Sequence, residues 1–432
     1  MNVAGSNKAG NFGGRRDVAL MASNALSLAV IACSGVIINA LLAGHFGVDR
    51  LGQFNKLVAL HLVVSQLTAF GIHLSCLHYL GTLTADSKAW AASARAAIVS
   101  VIAVGLIVAV MLGGSAGLVA GLLGNPDLIE GIRWVAPAVA LFGLNKVLLS
   151  LYNTSDKLHA LAFLQALRPI VWLIGTGVLV HLGNASPVEF GQILFYGELA
   201  ATLPGMLFLP GLRLHSFADA IHIDWIVRHL RFGMQAMPSH LIIVLNTRID
   251  ILILAFFAND AIVGIYSFVA LLAEGVFQVG VVIRTVINNR LVSMLLSRDY
   301  AGLQLLKWHA GRWSLFLTII LAGILLAGFT PAITWLGLNP ALLQGELSLW
   351  LLMVGVVACA VHSPLWMTLV LAGRPVQHSQ LMLALCALNI VLNITLIPLL
   401  GMLGAAIGTA IMLAAFPLML SLTTKRILGV AL

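Results

Sequence analysis

Charge is what this chain has least of. Aspartate, glutamate, lysine and arginine make up only 9% of its 432 residues, where a soluble domain carries about 25%. So small a charged fraction excludes an ordinary water-facing surface. Cysteine is scarce too: Cys33, Cys76, Cys359 and Cys386 are the four. Each lies in an apolar segment, where a thiol acts as a small hydrophobe, and no disulfide framework or metal-ligand spacing can be drawn from them. Long polar stretches are missing as well. No segment between apolar runs exceeds roughly twenty residues, too few for a folded domain outside a membrane. No loop combines a basic patch with interleaved aromatic residues, so the net charge of +8 does not point to nucleic acid, and no cofactor is called for.

What fills the chain instead is apolar sequence. Hydrophobic residues reach 60% and the mean hydropathy is +1.04, which predicts an all-α polytopic membrane protein, since a helix satisfies its own backbone in hydrocarbon. Lys8, Arg15 and Arg16 precede the first run as in a signal peptide. That run, 18–43, far exceeds an h-region of roughly 7–15 residues and reads as a retained span. Further stretches of crossing length fall at 55–81, 93–112, 131–152, 159–182, 188–211, 230–257, 261–289, 312–332, 346–371, 378–398 and 402–424, predicting about twelve transmembrane helices. The Gly-rich piece 113–124 reads as a short re-entrant or interfacial segment.

Loop charge gives the orientation. With the N-terminus in the cytoplasm, Lys88, Arg95, Lys157, Arg213, Arg228, Arg231, Arg290, Arg298, Lys307, Arg312, Arg374, Lys425 and Arg426 share its face, and only Arg50, Lys56 and Arg133 lie opposite. That asymmetry follows the positive-inside rule and predicts a multi-pass membrane protein with both termini cytoplasmic. Lys146, Arg168, Arg248 and Arg284 are left inside spans.

The chain also echoes itself. FGVDRLGQFNKLVAL from Phe46 resembles FANDAIVGIYSFVAL from Phe257, aligning Gly52 with Gly264, and YNTSDKLH ending at His159 echoes AGRPVQH ending at His378. A duplication with an even number of spans per half predicts two six-helix bundles related by a pseudo-two-fold axis along the membrane normal, around a central cavity. The expected division is 1–212, an amphipathic cytoplasmic linker 213–231 that spaces Phe217, Ile221, Trp225 and Leu230 among charges, and 232–432.

One span carries an expensive feature: Arg248 and Asp250 stand in the apolar run 241–257. An ionised group at mid-bilayer costs about 2.5–3.5 kcal/mol, so such residues face protein or a wet cavity. Two positions apart, they point to different sides of a helix and cannot pair well with each other.

At Leu388–Thr409 the text LNIVLNITLIPLLGMLGAAIGT resembles the signature of the polysaccharide-transporter branch of the multidrug/oligosaccharidyl-lipid/polysaccharide (MOP) exporter superfamily, the lipid-linked oligosaccharide flippases. The residues that carry it are Asn389, Asn393, Pro398, Gly401 and the Gly404–Ala405–Ala406 helix start. NTRIDILILAFFANDAIVGIYS from Asn246 is similar to the family's Asn-Arg-Ile-Asp helix, and FGVDRLGQF to its N-terminal glycine turn. Gln53 and Asn55 depart from the aromatic or charged residues usual there. The resemblance implies a V-shaped transporter with alternating access. Its implied cargo is an oligosaccharide on an undecaprenyl diphosphate carrier, moved from inner to outer leaflet among membrane lipids and other polysaccharide assembly proteins.

Such cargo needs a wet, basic path, because an unpaired hydroxyl costs several kcal/mol in hydrocarbon and a diphosphate far more. Arg168 and Arg248 are the expected principal contacts, with Lys146 and Arg284 assisting where cargo enters; guanidinium matches phosphate oxygens in bidentate fashion. Glu198, Asp250 and Glu274 are candidates for ion coupling or structural pairing. Asn39, Gln66, Asn145, Asn246 and Asn389 are candidate sugar contacts, although such residues commonly bond neighbouring helices. No catalytic residue and no metal ligand set is expected. The competing readings are a multidrug or other small-molecule or ion antiporter of the same superfamily, which would want acidic groups at mid-depth, and a membrane-embedded glycan polymerase or ligase, which would want longer outer loops.

Overall fold

The computed structural model describes residues 15–84, 87–209 and 222–432. Its helices in chain order are α1 (Arg15–Ala69), α2 (Ile72–Leu80), α3 (Lys88–Gly114), α4 (Ala116–Leu122), α5 (Leu128–Thr154), α6 (Leu158–Leu182) and α7 (Pro187–Leu207). There follow α8 (Ile223–Phe257), α9 (Asp260–Ser297), α10 (Tyr300–Trp335), α11 (Glu346–Cys359), α12 (Thr368–Leu371), α13 (Pro375–Leu400) and α14 (Met402–Leu428). Several starts are written in the local sequence. Ser186 and Glu189 form a capping box ahead of α7 with Pro187 at its first position, and the Asn259 side chain accepts from the Ile262 amide to open α9.

Among the described residues ten helices are long and apolar enough to cross a membrane. One of them, Val30–Ala69, is two crossings joined at Gly47, whose φ of 85° suits glycine. Pro187–Leu207 is one more helix of crossing length. The expected polytopic, all-helical, two-lobed architecture is what folds. Its details differ from the sequence reading in three places. The loop expected near 44–54 is only the Gly47 kink. The piece 113–124 becomes the tail of α3 and the short α4. The span 346–371 breaks after Cys359 into a 3-10 turn at Ser363–Leu365 and α12, where Pro364 brings no N–H to a helix.

The helix ends define two faces. The turns at 47–52, 123–127 and 258–260 lie together at one, called here the far face; the starts of α6 and α8 and the end of α14 lie at the other, the basic face. The apolar core is organised by face. Toward the far face a single cluster joins both groups of helices, packing Leu42, Leu51 and Phe54 with Leu254, Val263 and Tyr266. Toward the basic face there are two separate clusters. Ile72, Trp90, Ile98, Val147 and Tyr152 centre one; Leu291, Leu365, Leu385, Phe416 and Leu420 centre the other. The apolar cores are therefore merged at the far face and separate at the basic one.

The fusion rests on a crossing of two glycines. A Cβ on Gly52 would strike the Asp260 carbonyl, and one on Gly264 would strike the Val48 carbonyl and the Gly52 amide. The two positions that the internal repeat aligns thus meet face to face, each leaving room for the other's backbone. Beside them Lys56, fully buried, reaches Asp260 at 2.6 Å and the Leu123 carbonyl at 2.7 Å. Gln53 and Asn125 donate to the same carboxylate, at 2.9 and 2.5 Å.

Helix α8 belongs to both lobes. The amphipathic linker expected at 213–231 lies in part outside the described residues, at 213–221; from Ile223 onward it is the first part of α8, docked against α2 and α3. There His229, buried, meets Ser75 Oγ at 2.6 Å and Ser93 Oγ at 3.0 Å, Phe232 stacks on His78, and Gly233 rests on the Phe70 carbonyl. Six residues on, Ser239 bonds Ser379 of α13 at 2.8 Å, and Asn246 accepts from Asn389 at 3.2 Å. Between the two docks stands Pro238, inside the helix, where its missing N–H loosens the ladder.

The glycine crossing makes a measurable claim. Gly264→Val should lower the thermal midpoint of the purified protein in detergent by several degrees, as overpacking of about 1–3 kcal/mol would. Gly323→Val on α10, where a Cβ meets nothing within 4 Å, should leave that midpoint unchanged.

Candidate functional site

Within the first lobe, the polar residues of four helices converge on one carboxylate. Glu198, at the middle of α7 and 1% exposed in its side chain, takes His61 Nε2 at 3.1 Å and Arg168 Nη1 at 3.3 Å on the same oxygen. Asn145 Nδ2 donates to its other oxygen at 2.9 Å and to its backbone carbonyl at 2.9 Å. Thr202 then donates to Asn145 Oδ1 at 3.0 Å. Helices α1, α5, α6 and α7 are tied at mid-depth by this network, and the arrangement answers the cost of a buried carboxylate with three donors.

The cations around it are not used up. Arg168 stays 28% exposed, with its guanidinium 5.0 Å from the centre of the Phe142 ring and 5.6 Å from Trp172. The Lys146 ammonium lies 5.4 Å from the same Phe142 ring. Two positive groups thus lie against one aromatic ring, which attracts each through its quadrupole. Lys146 also donates to Gln66 Oε1 at 2.8 Å and to His240 Nε2 of α8 at 3.0 Å. The ring of His240 is 5.1 Å from that of His73 on α2.

In the second lobe a cavity of about 130 Å³ opens among α8, α9, α11 and α14, lined by Asn246, Arg248, Asp250, Glu274, Trp366 and Thr409 among others. Arg248 pairs with Glu274 at 3.2 Å, both partly exposed to it. Asp250, buried, instead accepts from Tyr266 Oη at 2.5 Å and Thr409 Oγ1 at 3.4 Å. The two neighbours on α8 therefore find different partners, as their spacing predicts.

Placed on this frame, the residues singled out in the sequence separate into groups. Arg168, Lys146, Asn145, Gln66 and Glu198 come together in the first lobe. Arg248, Asp250, Glu274 and Asn246 come together at the second-lobe cavity. Arg284 stands apart, partly buried on α9. Asn39 bonds Asn55 at 2.8 Å and the Gly35 carbonyl at 2.8 Å, both within α1. Asn389 bridges Asn246 and Asn393. Sequence reasoning missed the parts played by His61, His240 and Lys56. Lys56 was assigned to a far-face loop on its charge; its signal was its place in the repeated turn, four residues after Gly52.

A two-lobed helical bundle fused at one face is a fold shared with solved transporters of the MOP superfamily. Solved structures bear this out at the level of fold. The lipid II flippase MurJ in an inward closed conformation aligns with a TM-score of 0.77 at 16% identity, covering 94% of this chain and 87% of that one. A multidrug resistance MATE family transporter aligns inward-facing with a TM-score of 0.73 at 12% identity, covering 94% and 98%. Outward-facing, a MATE family transporter aligns with a TM-score of 0.53 at 13% identity, covering 95% of each chain. No curated protein matches the sequence. The profile of the polysaccharide biosynthesis protein family matches residues 83–299, and the chain belongs to that family.

The network on Glu198 predicts a graded response. Glu198→Ala strands Arg168 and His61 and should destabilise the protein by about 3–5 kcal/mol, read as a lower thermal midpoint in detergent. Glu198→Gln keeps an acceptor for one donor and should fall between that variant and the wild type.

Proposed function

We propose that this protein is an alternating-access flippase that carries an oligosaccharide on an undecaprenyl diphosphate-type lipid from the inner to the outer leaflet of the bacterial cytoplasmic membrane. Both termini lie in the cytoplasm, the basic face is the cytoplasmic face, and α1–α7 and α9–α14 form the moving lobes, joined by α8. The observation that carries the reading is the pairing of Lys146 and Arg168 on the Phe142 ring, at the level where the shared far-face core gives way to two separate ones. Two cations gathered on one ring in a membrane interior, one of them still without a carboxylate partner among the described residues, suit a group bearing phosphates.

Membership of a polysaccharide biosynthesis family supports a glycan cargo, and the fold of MOP transporters supports passage without bond-making. The conformation supports the direction of access: fusion at the far face leaves the basic face as the side that parts, and the TM-scores are higher against inward conformers. Arg248, at the mouth of the second-lobe cavity, and Arg284 provide further positive charge as the head group passes. Outward movement of the anionic head group is favoured by the membrane potential, by about 2.3 kcal/mol per charge per 100 mV if it crosses the whole field.

One observation favours a second reading. The cavity beside Asp250 and Glu274 carries the acidic groups that a small-molecule antiporter for cations would use. The two readings part in proteoliposomes. Wild-type protein should translocate a fluorescent undecaprenyl-diphosphate oligosaccharide, Lys146→Ala/Arg168→Ala should lose at least tenfold of that rate, and no cationic dye should be pumped. Dye transport that depends on Glu274, with no flipping of the lipid, would establish the antiporter instead.

A further inference from the structure

A second observation lies between the lobes rather than inside one. His240 and Ser239 are neighbours on α8, yet they bond in opposite directions: Ser239 to Ser379 of α13, His240 to Lys146 of α5. An ammonium can only donate, so His240 Nε2 is the acceptor and the imidazole is neutral at that nitrogen. The bond therefore crosses from the lobe that contains α13 to the lobe that contains α5, and it exists only while the two are close.

Three further features sit at the same place. Lys146 has one other hydrogen-bond partner, Gln66 of its own lobe, so loss of His240 frees a donor. Arg168 holds its charge beside the same aromatic ring. His73, buried on α2, faces the His240 ring and leaves its Nδ1 without a hydrogen-bond partner. When the lobes part, Lys146 and His73 stand beside Arg168, itself paired with Glu198, on one side of the seam, and the acceptor that held the Lys146 donor is carried away on the other.

Resting on the flippase reading above, we infer that His240 is a built-in competitor for the diphosphate of the cargo. With the lobes apart, Lys146, Arg168 and His73 bind a diphosphate. With the lobes together, His240 Nε2 takes the Lys146 donor back and evicts the phosphate oxygen that held it. Release is thereby tied to closure. A tight site on a transporter would trap its cargo, because binding energy spent on the loaded state slows the step that must leave it; a competitor delivered by the opposite lobe removes that trap without weakening the initial capture.

The test uses full-length protein in nanodiscs and equilibrium binding of two probes, undecaprenyl diphosphate in the bilayer and inorganic pyrophosphate in the buffer. His240→Ala should bind undecaprenyl diphosphate about tenfold more tightly than wild type, the scale of one hydrogen bond to a charged group, and should flip it more slowly in proteoliposomes. His240→Gln, whose amide oxygen also accepts from an ammonium, should return both quantities toward wild type. Lys146→Ala should bind about tenfold more weakly. If wild type binds undecaprenyl diphosphate and His240→Ala binds it no better, the competition is overturned while the flippase reading stands. If His240→Ala gains affinity for pyrophosphate alone and neither protein binds the lipid, the anion cradle stands and the lipid cargo is overturned.

Discussion

Hydrocarbon offers no substitute for a missing hydrogen bond, and most of this structure is a response to that. A polar side chain in a span must find a partner in its own helix's carbonyls or on a neighbouring helix, and a carboxylate, which only accepts, must look to the neighbour. Glu198 illustrates the outcome: one carboxylate gathers His61, Arg168 and Asn145 from three helices, and the bundle is fixed at that depth. Asp260 does the same at the far face with Lys56, Gln53 and Asn125. Apolar packing between membrane helices gains little over packing against lipid tails. Polar knots and close glycine crossings are then what select one arrangement of helices from many.

The position of those knots divides rigid from movable. Glu198 ties helices of one lobe, and Arg248 with Glu274 ties α8 to α9 in the other. The contacts that run between lobes are of a different kind. The far-face seam combines a buried ion pair with backbone approach at Gly52 and Gly264, both of which fail over small separations. At the basic face the lobes keep separate cores and touch through α8, whose first turns are held by serines and aromatic rings. A lobe can therefore tilt without opening its own interior, and the cost of tilting falls on contacts that exchange readily.

Much of the architecture was legible because composition and charge placement leave few choices. Apolar runs of crossing length gave the helices, and the repeated turn at Gly52 and Gly264 pointed to two related lobes before either glycine was placed. Glu198 was legible as a candidate for structural pairing, and Arg168 is the partner it finds. What could not be read was which face of each helix looks inward. These helices are apolar nearly all round, so the periodicity that marks the buried side of a soluble helix is absent, and His61 or His240 in an apolar run carries no directional signal. Lys56 lies at the expected face but is buried rather than in a loop, for a related reason. Counting charges by face treats each as a loop residue, whereas its four-carbon stem and a carboxylate from another helix let it sit wholly buried. The start of α8 was hidden because an amphipathic stretch suits a membrane surface and a docking groove equally well.

Helix α8 is where these strands meet. A single helix fixed at His229 to one lobe and at Ser239 and Asn246 to the other cannot stay straight and keep both docks if the lobes rotate. Either a dock releases or the helix bends. Pro238 lies between the docks, where bending costs least, because proline has already removed a backbone hydrogen bond. Bending there swings the segment from Ser239 onward with α13 and leaves the His229 segment on α2 and α3. His240 is the first residue past the bend to reach across the seam, so even a small rotation acts on its bond to Lys146 before it disturbs the paired residues deeper in either lobe. The same geometry that lets the helix serve both lobes thus places the most easily broken contact beside the cations that face the seam.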